Sequence, residues 1–387
     1  MITGDGAYIK KINRSIIIEK IIEHRAISRA SLSKLTGLNK ATISDQISDL
    51  LEEELVSETR TKQRNVGRRP LLLSINKTAG YMLGIDFNYK KIQFMVSDLL
   101  GNINEYNIIT FETEDYNEII LLVQKQIRKY QTKYTTSLYG LIGCVIGVHG
   151  TIDKHETVNF VPRYQWRNIN FKKDLQNGLN IELILENNAN LSAFAEKVYH
   201  PDSSQLLAIN LSSGIGAGNM VDWKLNKGYH GHAGEMGHMI ISLDGPNCRC
   251  GNKGCWELYA SESGLFNRLS KQLDTSNITY DKLKKLIADN NSITQQVIHE
   301  YLFYVALGLN NVINLYNPEI IVLNSKALKL YPDSIQIIKG NMHSNVSEYR
   351  DITLSELGEK AGALGACFLG IQRFFRVTEL SLLNSNE

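Results

Sequence analysis

The pattern of hydrophobic positions divides the chain into two parts. In the N-terminal part, isoleucine and leucine recur every three or four residues, which is the spacing of an amphipathic helix. Three helices are predicted: one over residues 10–24, a short one with Leu32 and Leu35 facing inward, and one that begins after Asn39. Gly37 lies in the turn between the last two, where a positive φ is expected. Two short helices joined by a glycine-containing turn are typical of a DNA-binding helix-turn-helix.

The rest of the chain contains short, nearly continuous apolar runs, which are typical of strands buried on both faces. A helix-like stretch over residues 115–131 lies among them. Strands that alternate with helices predict an α/β fold. The clearest runs lie at residues 81–87, 92–99, 141–148, 206–211 and 319–323.

Charge is distributed unevenly, although the net charge of +2 says little by itself. Residues 1–75 contain 13 Lys and Arg against 9 Asp and Glu, so they carry a net positive charge. The second helix of a helix-turn-helix presents its first residues to base edges, and arginines beside it can contact phosphates or the minor groove. A small helical protein–protein module is the alternative for this segment. The residues predicted to contact DNA are Asn39, Lys40, Thr42 and Ser44 of that helix and Arg64, Arg68 and Arg69 of the basic run after it.

One histidine and three cysteines lie within 18 residues, in the pattern H-x9-C-x-C-x4-C. Four such ligands suit a closed tetrahedral zinc site. Gly251 and Gly254 allow the loop to turn back so that the thiols point inward. The alternative is a group of reduced cysteines without a metal. The predicted zinc ligands are His238, Cys248, Cys250 and Cys255.

The segments around this cluster resemble the signature of the ROK family, which comprises sugar-responsive repressors and sugar kinases. That signature has a Gly-Glu-x-Gly-His step, then C-x-C-G-x-x-G-C, then a Glu before Tyr-Ala-Ser. The chain has all three, at residues 234–238, 248–255 and 257–261. The resemblance covers residues 10–375. It implies a two-lobed, actin-like and sugar-kinase-like (ribonuclease H-like) α/β fold after the winged helix-turn-helix, with a sugar between the lobes and a structural zinc ion.

A chain of 387 residues is expected to form two or three domains. With the resemblance, we expect a winged helix-turn-helix and linker at residues 1–75 and a first lobe at residues 76–195. The second lobe is expected at residues 196–387, with the zinc loop and a C-terminal helix that can return to the first lobe.

The resemblance also shows two departures from the kinases of the family. Those kinases use the Asp of a Glu-Asn-Asp motif as general base, whereas this chain has Asn188 there, and an amide cannot accept a proton at neutral pH. Their glycine-rich phosphate loop corresponds to DFNYKK at residues 86–91, which contains no glycine. Both departures argue against phosphoryl transfer.

The family's sugar-contacting groups, by contrast, are retained. Carboxylates and amides suit sugars because they form orientation-specific hydrogen bonds with hydroxyl groups. For the two glutamates among them, the alternative role is to hold the zinc loop, and the two roles are compatible. By resemblance, the sugar-contacting residues are Asn187, Asn188, Glu235, His238 and Glu257.

Within the family, segments such as residues 36–40 and 255–262 are most similar to xylose repressors of low-GC Gram-positive bacteria. This implies a homodimeric repressor of xylose-utilisation genes that D-xylose releases from double-stranded operator DNA. Alternative effectors are glucose, N-acetylglucosamine or a phosphorylated sugar, and a sugar kinase is less expected. A zinc hydrolase would need an open coordination position, which four protein ligands do not leave.

We expect the protein to be cytoplasmic. Its cysteines cluster with a histidine and lack disulfide-like spacing, which fits a reducing compartment. No apolar stretch is long enough to span a membrane, and no signal peptide is evident.

Overall fold

The structure is a computed structural model that describes residues 6–60 and 71–382. The described helices are α1 (Gly6–His24), α2 (Arg29–Thr36), α3 (Lys40–Glu52), α4 (Tyr116–Lys133), α5 (Phe171–Gln176), α6 (Asn188–Tyr199), α7 (Glu257–Ala260), α8 (Glu262–Gln272), α9 (Tyr280–Ala288), α10 (Ser292–Tyr316), α11 (Lys326–Leu330), α12 (Ser334–Gly340) and α13 (Ala361–Phe375). The described strands are β1 (Ile27–Ser28), β2 (Val56–Arg60), β3 (Leu71–Ile75), β4 (Tyr81–Asn88), β5 (Lys91–Asp98), β6 (Ile103–Thr110), β7 (Leu141–Val148), β8 (Thr151–Ile152), β9 (Val158–Val161), β10 (Trp166–Ile169), β11 (Leu183–Asn187), β12 (Gln205–Leu211), β13 (Ile215–Val221), β14 (Lys224–Leu225), β15 (Ile320–Asn324) and β16 (Asp351–Leu354).

These elements form two units. Unit 1 comprises the chain up to Leu191 together with the segment from Gly362 onward, and unit 2 comprises Ser192–Ala361. The three-domain boundaries predicted from the sequence remain predictions, because the division into two units groups the N-terminal helices with the first sheet. Within the described residues, no helix is both long and apolar enough to cross a lipid bilayer.

The N-terminal part of unit 1 has the three predicted helices and a small antiparallel sheet in the order β1-β3-β2. Ile17, Leu32 and Ile47, one from each helix, are fully buried and form its core. Leu35 does not face inward as predicted, since its side chain is 51% exposed. Leu32 is the one buried residue of α2, so the face that this helix turns toward the core passes through Leu32 and leaves Leu35 outside it.

The remainder of unit 1 is built on a five-stranded sheet in the order β11-β7-β4-β5-β6. The pairs β11–β7 and β7–β4 are parallel, whereas β4–β5 and β5–β6 are antiparallel. Apolar residues of α4 pack on one face of the sheet, and α13 packs on the other. Gly84 on β4 permits this second contact, because a Cβ there would lie 2.2 Å from the carbonyl oxygen of Ala363.

Unit 2 repeats the same plan with a sheet in the order β14-β13-β12-β15-β16. Its antiparallel pairs involve β12, β13 and β14, and its parallel pairs involve β12, β15 and β16. The long helix α10 supplies much of the core, with Val305, Leu309 and Val312 fully buried. Strand order and direction are those of the predicted ribonuclease H-like α/β fold, present once in each unit.

Candidate functional site

The predicted metal ligands lie in a loop of unit 2 that folds back on itself. A backbone bridge pairs Ile240 with Cys255, and the amide of Cys248 donates to the carbonyl of Asn252 over 2.8 Å. Gly251 and Gly254 have φ values of 101° and 68°, a backbone region that favours glycine. At Gly254 a side chain is also excluded by space, since a Cβ would lie 1.7 Å from the carbonyl oxygen of Ser242.

The four ligand atoms of His238, Cys248, Cys250 and Cys255 lie within 4.8 Å of one another. Sγ of Cys248 is 3.6 Å from Nδ1 of His238, and Sγ of Cys250 is 3.6 Å from Sγ of Cys255. Tetrahedral zinc with normal bond lengths gives ligand separations of about 3.6–3.8 Å. Burial raises the pKa of the Cys248 thiol, so a bound cation is what would favour its thiolate form. The residues present therefore fit a tetrahedral metal ion.

Two predicted sugar-contacting carboxylates surround this cluster. Oε1 of Glu257 lies 3.5 Å from Nδ1 of His238 and 3.3 Å from Sγ of Cys248. Oε2 of Glu235 lies 3.8 Å from Nε2 of the same imidazole. His238 therefore has one ring nitrogen beside the thiol of Cys248 and the other on the side of Glu235.

The position of Glu257 is fixed by the residues on either side of it. Trp256 is fully buried, and its indole N–H donates to the carbonyl of Tyr304 on α10 over 2.7 Å. On the other side, a Cβ on Gly214 would lie 2.7 Å from Oε2 of Glu257. The glycine-rich turn before β13 thus lies close to this carboxylate, and a side chain at residue 214 would displace the end of the Glu257 side chain.

The other predicted sugar-contacting residues, Asn187 and Asn188, lie in unit 1 where β11 meets α6. Oδ1 of Asn187 accepts the backbone N–H of Ala189 over 2.8 Å, and its Nδ2 donates to the carbonyl of Gly150 over 2.8 Å. Asn187 thus caps α6 and holds the loop after β7. The side-chain amide of Asn188 lies 2.6 Å from Nε2 of His149, which is not among the predicted sugar-contacting residues.

The turn between β4 and β5 lies within residues 86–91, the segment that by resemblance corresponds to the phosphate loop of the kinases but contains no glycine. Oδ1 of Asn88 accepts the amide of Tyr89 over 2.7 Å, and the hydroxyl of Tyr164 accepts the amide of Lys90 over 2.9 Å. The ring of Tyr164 in turn stacks on Trp166, with 4.4 Å between centroids. Both turn amides therefore already have acceptors, so they cannot bind a phosphate without losing them.

The helix-turn-helix places its predicted DNA contacts at the start of α3. Gly37 ends α2 with φ 72°, and Oδ1 of Asn39 accepts the amide of Thr42 over 2.8 Å, which caps α3. Lys40 and Ser44 are exposed and Thr42 is half-buried. The predicted contacts Arg64, Arg68 and Arg69 lie outside the described residues.

Comparison with known proteins covers most of the chain. A profile of the ROK family matches residues 82–373. A xylose repressor of Bacillus spizizenii is 35% identical over 385 residues, which are 97% of this chain and 99% of that protein.

Solved structures share the fold. A ROK family transcriptional regulator, a homolog of the E. coli MLC protein, has a TM-score of 0.81 at 24% identity and covers 97% of this chain and 98% of its own. A ROK family glucokinase from Streptomyces griseus, solved with glucose and AMPPNP, has a TM-score of 0.66 at 22% identity. It covers 75% of this chain and 99% of its own. These likenesses confirm the predicted fold class.

Proposed function

The chain belongs to the ROK family, and from this premise we propose that it is a DNA-binding repressor of xylose-utilisation genes that D-xylose releases from its operator. The observation that carries the proposal is the extent of the similarity to xylose repressors. That similarity runs through nearly the whole chain, whereas the family profile begins at residue 82, downstream of the helix-turn-helix. The similarity to the glucokinase covers 99% of the kinase but only 75% of this chain.

The helix-turn-helix would bind the operator through α3. At the start of this helix, the exposed residues Lys40 and Ser44 carry a cation and a hydroxyl group. Asn39 precedes Lys40, and Thr42 lies between Lys40 and Ser44. Such groups contact base edges and phosphates in the major groove. Arg64, Arg68 and Arg69 would add phosphate or minor-groove contacts.

Zinc is the ion that the cysteine–histidine cluster would hold. Three thiols and one imidazole are soft or borderline ligands, and four protein ligands complete a tetrahedron. With no open coordination position the ion would be structural, and a hydrolase reaction at zinc is disfavoured. Its role would be to fix the loop that carries Glu235, His238 and Glu257.

The effector would be bound through hydroxyl groups of the sugar. Glu235, Glu257 and His238 lie together at the zinc loop, and Asn187 and Asn188 lie at the start of α6. We propose that these residues form hydrogen bonds with D-xylose. The sugar can release the operator only by its different affinity for two states of the repressor, so sugar and DNA must weaken each other's binding reciprocally.

Phosphoryl transfer is disfavoured by two features of unit 1. Asn188 has no basic group to deprotonate a sugar hydroxyl. The amides of Tyr89 and Lys90 are already bound by Asn88 and Tyr164. We therefore propose that this protein is not an enzyme, although the ROK family also includes a glucokinase.

We further propose that the repressor is a homodimer that acts in the cytoplasm on a palindromic operator. Two copies of the helix-turn-helix would then occupy two half-sites, as is usual for this motif. The winged domain would comprise residues 1–75 and the lobes residues 76–195 and 196–387.

Fluorescence anisotropy of the full-length protein on a labelled palindromic operator tests the proposal. We expect tight binding without sugar, release by D-xylose in the absence of ATP, and no release by L-xylose at the same concentration. Release by glucose or N-acetylglucosamine instead would keep the repressor and change the effector. ATP-dependent consumption of a sugar would overturn the proposal.

A further inference from the structure

His149 and Asp86 form a hydrogen-bonded pair in unit 1 to which the proposed function gives no role. Asp86 lies near the end of β4 with its side chain only 6% exposed. Its Oδ1 is 3.1 Å from Nε2 of His149, in the loop after β7. Its Oδ2 accepts a hydrogen bond from Nε2 of Gln93 over 3.3 Å. Gly362 of α13 leaves room for the carboxylate, since a Cβ there would lie 3.0 Å from Oδ2.

This pair fixes the orientation of the imidazole. A buried carboxylate is costly unless polar partners surround it, and Asp86 holds the Nε2 edge of the ring. The other nitrogen, Nδ1, can form a hydrogen bond with a hydroxyl group in either tautomer, because a hydroxyl group both donates and accepts. Within the described part of the chain, both side-chain hydrogen bonds of His149 are made by Nε2. The His149 side chain is 26% exposed, so a ligand can reach it.

Asn188 connects this pair to the sugar-contacting residues. Its side-chain amide lies 2.6 Å from the same Nε2. The amide atom that faces the ring is Nδ2 of Asn188, so the same Nε2 is shared between this amide and the carboxylate of Asp86. The imidazole and the Asn188 amide are thereby held side by side, and Asn187 ties the same loop to α6 through Gly150.

We propose that His149 is a further specificity-determining residue of the effector site. Its Nδ1 forms a hydrogen bond with one hydroxyl group of the sugar, and Asp86 is a positioning residue that acts through His149. This role rests on the proposed function, because it assumes that Asn188 contacts the sugar. An imidazole nitrogen held beside an amide selects a hydroxyl group at one position of the sugar ring, which is how a site distinguishes sugars that differ at one carbon.

The experiment is isothermal titration calorimetry of the full-length protein with D-xylose and its 2-deoxy, 3-deoxy and 4-deoxy derivatives. We expect His149→Leu to weaken D-xylose binding by about 3- to 10-fold, the usual effect of losing one neutral hydrogen bond. For one deoxy sugar the variant loses no affinity, because the hydroxyl that His149 would bind is already absent. A purely structural role would instead weaken binding of all four sugars by the same factor, and that result would overturn the proposal.

Further variants separate positioning from folding. His155→Leu removes an exposed histidine near the same loop and is expected to leave all four affinities unchanged. Asp86→Asn is expected to weaken D-xylose binding in the wild-type background but not in His149→Leu. Operator affinity without sugar serves as the folding control for each variant. If the unmodified chain binds no D-xylose, the proposed effector fails; if it binds D-xylose and His149→Leu changes nothing, only the role of His149 fails.

Discussion

Glu196 on α6 allows a quantitative prediction about pH and stability. Its carboxylate is almost completely buried, and it accepts a hydrogen bond from the hydroxyl of Ser355. Burial disfavours the charged form and raises the pKa of Glu196 from 4.5 to about 7, although the Ser355 hydrogen bond opposes this shift. The folded protein therefore binds this proton more tightly than the unfolded chain does.

The size of the effect follows from that shift. One pKa unit corresponds to about 1.4 kcal/mol, so the difference between 4.5 and about 7 amounts to about 3 kcal/mol. The pKa of Glu196 is higher in the folded protein than in the unfolded chain. The stabilisation that comes from protonating Glu196 is therefore fully present below pH 4.5 and is lost as the pH rises through 7. Glu196→Gln removes the charge and keeps an oxygen that accepts the Ser355 hydroxyl. We therefore expect the variant to be about 3 kcal/mol more stable than the wild type at pH 8, and less than about 1 kcal/mol more stable at pH 5.

Differential scanning calorimetry between pH 5 and pH 8 measures this difference. For a domain the size of unit 2, about 3 kcal/mol corresponds to a rise in Tm of roughly 6–12 °C. Glu348→Gln changes an exposed carboxylate of the same unit and is the matched control. A rise in Tm that is the same at pH 5 and pH 8, or no rise at pH 8, would refute the reasoning.

Three further predictions concern the metal loop, the core and the DNA-binding helix. Cys250→Ser should lower the zinc content measured by mass spectrometry and abolish release of the operator by D-xylose, while operator binding persists. Cys144→Ala, at a cysteine outside the cluster, should change neither the zinc content nor the release of the operator. Gly308→Ala should lower the free energy of unfolding in urea by about 1–3 kcal/mol, because a Cβ there would lie 1.9 Å from the indole of Trp256. The control is Gly340→Ala, which has open space around residue 340 and should not destabilise the protein. Lys40→Ala should weaken operator binding and reduce its salt dependence by about one counterion in anisotropy titrations, without changing D-xylose affinity; an unchanged salt slope would contradict a phosphate contact.

The features predicted best from the sequence are those whose determinants lie close together along the chain. The positive φ of Gly37 and the cap from Asn39 involve neighbouring residues, so the helix-turn-helix could be predicted from a short segment. The same holds for the metal loop, where the ligands and the two turn glycines occupy one stretch. Leu35 shows the limit of this approach, because periodicity alone does not tell how wide the buried face of a two-turn helix will be.

Features that depend on distant pairings could not be predicted. The residue Asn188, where by resemblance the kinases have their catalytic Asp, could be identified from the sequence, since it is a difference at one position. The occupied turn between β4 and β5 is different, because the acceptor for Lys90 is Tyr164, which is 74 residues away and held by stacking on Trp166. Asp86 and His149 are likewise 63 residues apart and meet only because β4 and β7 are adjacent in the sheet. The two proposed departures from the kinases are therefore independent: a carboxylate at residue 188 would leave the amides of Tyr89 and Lys90 bound to their present acceptors.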